Sequence, residues 1–257
     1  MLQIERKKRI MELLKKNNII KIAELQKYFP DISKMTLWRD IKSLVNEDKI
    51  IQLHGGIMLK NRESDKILTE SDFDKRIKDN SRKKSIIADK AKELIKPGDS
   101  IILDASSTSY YLAEAIQDLE DIKIITNNVK IANDFTFSDT TEVILCGGVL
   151  KKETASLIGN TAIEFFEHIR ADWFFFSVSG LTVGKGCFDL NMLEVEVKKA
   201  MLKAARKKVL LIDSTKFKDN GNHKVADIKQ LNYCISDTNR LPVNFTKKLK
   251  EHKIKLL

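Results

Sequence analysis

The sequence predicts an α/β protein in two parts: a small N-terminal unit of three helices and a hairpin, then a larger domain built on a mostly parallel sheet. Three observations carry that reading. Apolar residues recur at helical spacing from Ile4 to Val45 and then form two short runs on either side of His54, Gly55 and Gly56. Beyond Gly98, six nearly continuous apolar runs alternate with helical stretches, the pattern of strands covered on both faces. Positive charge is uneven: residues 1–60 hold 13 Lys and Arg against 7 Asp and Glu, while the other 197 hold 33 against 29.

In the first part, Ile4, Ile10, Leu13 and Leu14 mark a helix over Gln3 to about Lys16, with Arg6, Lys7, Lys8 and Arg9 between them. Ile22, Leu25 and Phe29 mark a short second helix, which Pro30 ends. Ser33 is placed to cap a third, because its hydroxyl can accept from a first-turn amide. On that third helix Leu37, Ile41, Leu44 and Val45 form the stripe to be buried, leaving Met35, Arg39, Lys42 and Asn46 on the opposite face with Trp38 beside them. The hairpin pairs IIQL with IMLK, glycine supplying the positive dihedrals of the turn. Three helices and a hairpin in about 60 residues are the layout of a winged helix-turn-helix, a module that lays its later helix in the DNA major groove.

Residues 61–80 are strongly charged, lack regular periodicity and read as a linker. A helix beginning nearby runs through Ile86, Ile87, Ala91, Leu94 and Ile95 until Pro97-Gly98 stops it. The strands are SIILD at 100–104, KIITN at 123–127, EVILC at 142–146, WFFFS at 173–177, KVLLID at 208–213 and YCIS at 233–236. In such a sheet, ligands bind beyond the carboxyl ends of the strands. Those ends carry Asp104, Ser106, Ser107 and Thr108; Thr126, Asn127 and Asn128; Gly147 and Gly148; Ser177, Ser179 and Gly180; and Asp213 with Lys216. Hydroxyls opening a helix at 106–108 suit an anion, and Lys216 could neutralise one.

A pI near 9.3 and a net charge of +10 favour polyanionic partners. Three widely spaced cysteines build neither a disulfide framework nor a metal knuckle, the four histidines show no metal-ligand spacing, and a reduced cytoplasm fits. No run approaches the roughly 20 apolar residues that span a bilayer, and the N-terminus lacks a signal-peptide core.

The run I-S-K-M-T-L-W-R-D-I with Leu44 and His54-Gly55-Gly56 resembles the N-terminal signature of the DeoR family of bacterial transcriptional regulators. Ser33, Thr36, Arg39, Asp40, His54, Gly55 and Gly56 match it; Trp38 stands where an arginine is usual, and the turn before Ser33 is one residue longer. The ordered strand-end residues, with Ser156, Gly159 and Glu194 to Lys198, resemble the family's sugar-phosphate-sensing domain, which is similar in fold to ribose-5-phosphate isomerase; Ser106 replaces a frequent glycine. The resemblance implies a winged helix-turn-helix at 1–60, a charged linker at 61–80, and an effector-sensing and oligomerisation domain at 81–257. It implies a cytoplasmic repressor of carbohydrate genes that binds double-stranded operator DNA and forms a homodimer or homotetramer. DNA contacts are expected from Ser33, Lys34, Thr36, Trp38, Arg39, Lys42, His54 and Gly55. A phosphorylated sugar is expected at Asp104, Ser106, Ser107, Thr108, Thr126, Asn127, Asn128, Gly147, Gly148, Ser179, Gly180 and Lys216, with no cofactor, metal or catalytic residue. The rival is a sugar-phosphate isomerase with an appended helical domain. Its chemistry needs a positioned general base, and the loop Ser177 to Leu181 holds no carboxylate.

Overall fold

A computed structural model describes residues 3–17, 19–47, 49–53, 56–59 and 72–257. The chain divides into two compact units, Met1–Glu70 and Ser71–Leu257.

The first unit runs α1 (Gln3–Asn17), β1 (Ile19–Lys21), α2 (Ile22–Tyr28), α3 (Lys34–Asn46), β2 (Ile50–Leu53) and β3 (Gly56–Leu59). Ile10, Leu14, Leu25, Phe29, Leu37, Ile41, Leu44, Ile50 and Ile57 close around one core, with Leu13 and Val45 partly buried against it, whereas Ile4, expected in the same stripe, is 80% exposed at the start of α1. Ser33 caps α3 by accepting from the Thr36 amide at 3.2 Å. The antiparallel sheet has the order β1-β3-β2, and β1 was not foreseen because three residues are too short to show alternation. In the hairpin, Gly56 pairs with Leu53 inside the ladder, whereas the sequence reading put it in the turn with His54 and Gly55. Those two residues lie outside the described residues.

The second unit opens with α4 (Asp72–Lys78) and α5 (Ser81–Lys92); of the stretch read as a linker at 61–80, residues 61–71 lie outside the described residues and Asp72–Lys78 is helical. Phe73 on α4 is fully buried, which a solvated linker would not allow. Then follow β4 (Ser100–Leu103), α6 (Ser107–Ala115), β5 (Lys123–Thr126), α7 (Val129–Asp134), β6 (Glu142–Leu145), β7 (Val149–Lys151), β8 (Ser156–Ile158), α8 (Asn160–Glu167) and β9 (Ala171–Phe176). The chain ends through β10 (Gly180–Thr182), β11 (Gly186–Asp189), α9 (Met192–Ala204), β12 (Ala205–Ile212), β13 (His223–Ala226), β14 (Tyr233–Ser236), α10 (Val243–Glu251) and β15 (Lys255–Leu256).

Seven strands form one parallel sheet in the order β15-β14-β12-β9-β4-β5-β6. Alternate residues of each strand enter opposite layers. Ile101, Leu103, Phe175, Val209 and Leu211 pack with Ile87, Ala91 and Leu112 from α5 and α6. Ile102, Phe174, Phe176, Leu210 and Ile212 pack with Phe166, Val197, Met201 and Phe245 from α8, α9 and α10. Burial on both faces is why the strands read as unbroken apolar runs. Two small antiparallel additions, β7-β8 and β10-β11-β13, follow the carboxyl ends of β6 and β9. Among the described residues, no helix is long and apolar enough to cross a membrane, and no group of His, Cys, Asp and Glu could hold a metal ion.

Candidate functional site

The outward face of α3 is held in place by α1. Arg6 grips Asp40 with Nε 2.6 Å from Oδ2 and Nη2 3.2 Å from Oδ1, and Lys7 reaches Ser43 Oγ at 2.7 Å and Glu47 at 2.5 Å. Hydrogen bonds from Lys49, Lys7 and Ser43 hold the Glu47 carboxyl down to about 2. Two basic residues of α1 thus position the helix, and Asp40 is an interior anchor, 1% exposed. Lys34, Met35, Trp38, Arg39, Lys42 and Asn46 remain exposed on one side. Ser33 and Thr36 are joined to each other through their hydroxyls at 2.9 Å, at the capped start of the helix. Met35 is 71% exposed and Trp38 36%, the latter on the rim of a groove lined by Leu25, Lys27, Pro30, Lys34 and Leu37.

The second site is a crevice of about 470 Å³ over the carboxyl ends of β4, β5, β9 and β12. Of the residues expected there, Ser106, Ser107, Thr108, Asn127, Ser179 and Lys216 line it. Ser106 caps α6 by accepting from the Ser109 amide at 3.1 Å, and the amides of this first turn have no intrahelical acceptor. They therefore present the positive end of the helix to the crevice.

Six expected residues do not line the crevice. Asp104 lies fully buried beneath it, accepting from Ser109 Oγ at 2.5 Å, the amides of Ser106 and Ser177 at 3.2 Å, and Lys198 at 2.9 Å. Thr126 is spent internally, donating to the Leu103 carbonyl at 2.8 Å. Asn128 caps α7 through the amides of Lys130 and Ile131. Gly147 and Gly148 are exposed beside the β7-β8 hairpin; at Gly148, with φ 147°, a Cβ would stand 2.8 Å from the Ile158 carbonyl oxygen. At Gly180 a Cβ would stand 2.3 Å from the Asn220 carbonyl oxygen, so the close approach is made by the chain itself.

In their place the fold brings residues that the sequence reading did not assign to the effector: Arg76 from α4, Asp79 and Asn80 just after it, Lys84 from α5, Lys151, Asp189 and Lys198, the last named only within the resemblance at Glu194 to Lys198. Lys198 is 2.6 Å from Asp189 and donates to the Ser177 carbonyl at 2.7 Å. Burial alone would push this lysine down; Asp104 and Asp189 outweigh it and hold it above its ordinary value. Glu194 is occupied by Ser156 at 3.1 Å and Lys151 at 3.4 Å. Six cations line the crevice against four carboxylates, and the surplus gathers at Arg76, Lys84, Lys216 and Lys218, away from these pairs. Arg76 Nη2, Asn127 Oδ1 and Asp213 Oδ2 are buried without a hydrogen-bond partner. Lys84 had a signal in the sequence: it shares the helical stripe of Ile87, Ala88, Ala91 and Ile95, a buried face.

Residues 6–63 match the family model of the DeoR-like helix-turn-helix domain, and residues 79–238 match that of the DeoR C-terminal sensor domain. The chain is 31% identical to the uncharacterized HTH-type transcriptional regulator YulB of Bacillus subtilis, over 100% of this chain and 96% of that protein. It is 27% identical to the glycerol-3-phosphate regulon repressor of Escherichia coli, over 100% and 99%. With the L-fucose operon activator of the same organism it shares 30% identity over 80% and 84%. A D-ribose-5-phosphate isomerase solved with phospho-erythronic acid aligns over 54% of this chain and 55% of its own, with 14% identity and a TM-score of 0.40. The two domain matches together span nearly the whole chain, which therefore belongs to the DeoR family of DNA-binding transcriptional regulators and is not an enzyme.

Proposed function

We propose that the chain represses genes of carbohydrate metabolism by binding operator DNA through α3 and the β2-β3 wing, under control of a phosphorylated sugar or related metabolite in the crevice. The effector half rests on one observation. The crevice pairs a cationic end, Arg76, Lys84, Lys216 and the α6 N-terminus, with unmatched buried acceptors, Asn127 Oδ1 and Asp213 Oδ2. A ligand with one anionic group and several hydroxyls meets both needs, since buried acceptors without donors are costly and helix N-termini favour anions. The names of the relatives matched, a glycerol-3-phosphate regulon repressor and an L-fucose operon activator, support the carbohydrate setting. Repression is preferred because the repressor is matched from end to end.

On the DNA side, Arg39 and Lys42 at the centre of the exposed face contact base edges and phosphates, with Lys34 near the helix start. Met35 and Trp38 offer apolar surface, which suits thymine methyl groups. Pairing of two such helices on two half-sites requires self-association. An exposed apolar set supports it: Val149 and Leu150 on β7, with Leu190 ahead of α9 and Met192 and Leu193 in its first turn, the two segments being joined by Lys151 and Glu194.

The test is a thermal-shift panel of sugar phosphates on the intact chain, followed by operator binding with each ester that shifts it. A ligand at 100 times its dissociation constant adds about 2.7 kcal/mol. A panel that shifts nothing, or an ester that binds and leaves operator affinity unchanged, would refute the switch.

A further inference from the structure

Helix α4 is the first element after Met1–Glu70, and it is fastened to the sensor domain at three points. Phe73 is fully buried and meets Tyr110 edge-on at 5.8 Å. Asp74 pairs with Lys130 at 2.8 Å, and the Ile77 carbonyl accepts from the Tyr111 hydroxyl at 3.2 Å. At its far end, Asn80 turns into the left-handed region with φ 54° and separates α4 from α5. The last carbonyls of a helix have no intrahelical partner. Here Lys84, 4% exposed, donates to the carbonyls of Arg76 and Asp79. Arg76 lays its guanidinium 5.2 Å over the Phe73 ring and keeps Nη2 buried and unpartnered. Arg76 and Lys84 both line the crevice.

We infer that α4 is a working wall of the effector pocket: Arg76 and Lys84 hold the ligand's anionic group, so that filling the pocket and docking α4 are one coupled equilibrium. This rests on reading the crevice as the effector site. An anion supplies the acceptor that Arg76 Nη2 lacks, in a charge-assisted bond. It also acts on Lys84, which burial pushes down to about 8. A neighbouring anion keeps the ammonium charged as pH rises past that value, and the ammonium binds the carbonyls of Arg76 and Asp79 more strongly than the neutral amine would. Ligand therefore fastens α4, and by reciprocity whatever loosens α4 weakens the ligand. Because α4 follows directly on the N-terminal unit in the chain, the ligand sets how firmly that connection is anchored.

The test uses the full chain with inorganic phosphate as probe, read by calorimetric titration and by amide hydrogen exchange over residues 72–84. Phosphate should slow exchange across 72–80. Arg76→Gln should weaken phosphate by about tenfold or more, the scale of a lost hydrogen bond to a charged group. Arg76→Lys should recover part of the loss, which a misfolded variant would not. Phe73→Ala, outside the pocket lining, should weaken binding by releasing α4. If Lys216→Gln weakens phosphate while Arg76→Gln does not and exchange over 72–80 is unmoved, the role of α4 is overturned and the effector reading stands. If the unsubstituted chain does not bind phosphate, or none of these substitutions alters its binding, both readings are overturned.

Discussion

Arg6 on α1 and Asp40 on α3 form a two-pronged ion pair, with the Asp40 carboxylate 1% exposed. The pair sets the angle at which the exposed face of α3, the proposed DNA contact, is presented. Removing one partner strands a buried charge, whereas replacing both with apolar groups of similar size is often near neutral. Asp40→Ala should therefore lower the melting temperature of the N-terminal unit and weaken operator binding. Arg6→Met combined with Asp40→Leu should regain most of the stability. Calorimetric melting of the two variants checks this; equal losses in both would show that the pair is not what fastens the helix.

Lys198 is the keystone beneath the crevice, between Asp104 and Asp189. Lys198→Met leaves two buried carboxylates facing each other and should cost about 3–5 kcal/mol in denaturant unfolding. Effector binding should be lost with it, because Asp104 braces Ser106 and Ser109 at the start of α6. A variant as stable as the parent would exclude this role.

Effector affinity should depend on pH through Lys84. Burial is the largest influence on it; Asp213 and Asp79 raise its value, Lys216 and Arg76 lower it, and the outcome is about 8. A bound anion favours the charged form and so raises that value. Affinity is then level below about pH 8 and falls above it, toward about tenfold per pH unit until the bound-state value is passed. A phosphate monoester, with its second pKa near 6, is already a dianion in this range and does not cause the fall. Titrations between pH 7 and 10 check it, and Lys84→Met should flatten the curve.

Trp38 and Met35 should make the operator preference unlike that of a regulator with arginine at position 38. In-vitro selection with the intact chain should enrich thymine opposite these residues. Replacing thymine with uracil there, which removes only the methyl group, should weaken binding. Trp38→Arg should shift one position toward guanine, with discrimination of about 1–3 kcal/mol. Identical selected sites for both proteins would show that Trp38 serves only the groove against Leu25 and Pro30.

Local periodicity determined most of this protein. The spacing of Leu37, Ile41 and Leu44 set which face of α3 is exposed, and unbroken runs such as Trp173 to Phe176 set the parallel sheet, because burial on one face or two leaves a direct trace in the order of residues. The strand-end rule then placed Ser106–Thr108, Asn127, Ser179 and Lys216 in one crevice. What only the tertiary structure decided is which polar groups remain for a ligand. Asp104 and Thr126 were consumed by partners and Asn128 Oδ1 by capping α7, while Gly148 and Gly180 were consumed by backbone packing. Arg6 was drawn inward by Asp40, 34 residues away, and Arg76 emerged from what looked like a charged linker, with Lys84 joining it from the next helix. Such assignments depend on pairings between distant segments, and a charged side chain carries no mark of its partner until the fold brings the two together.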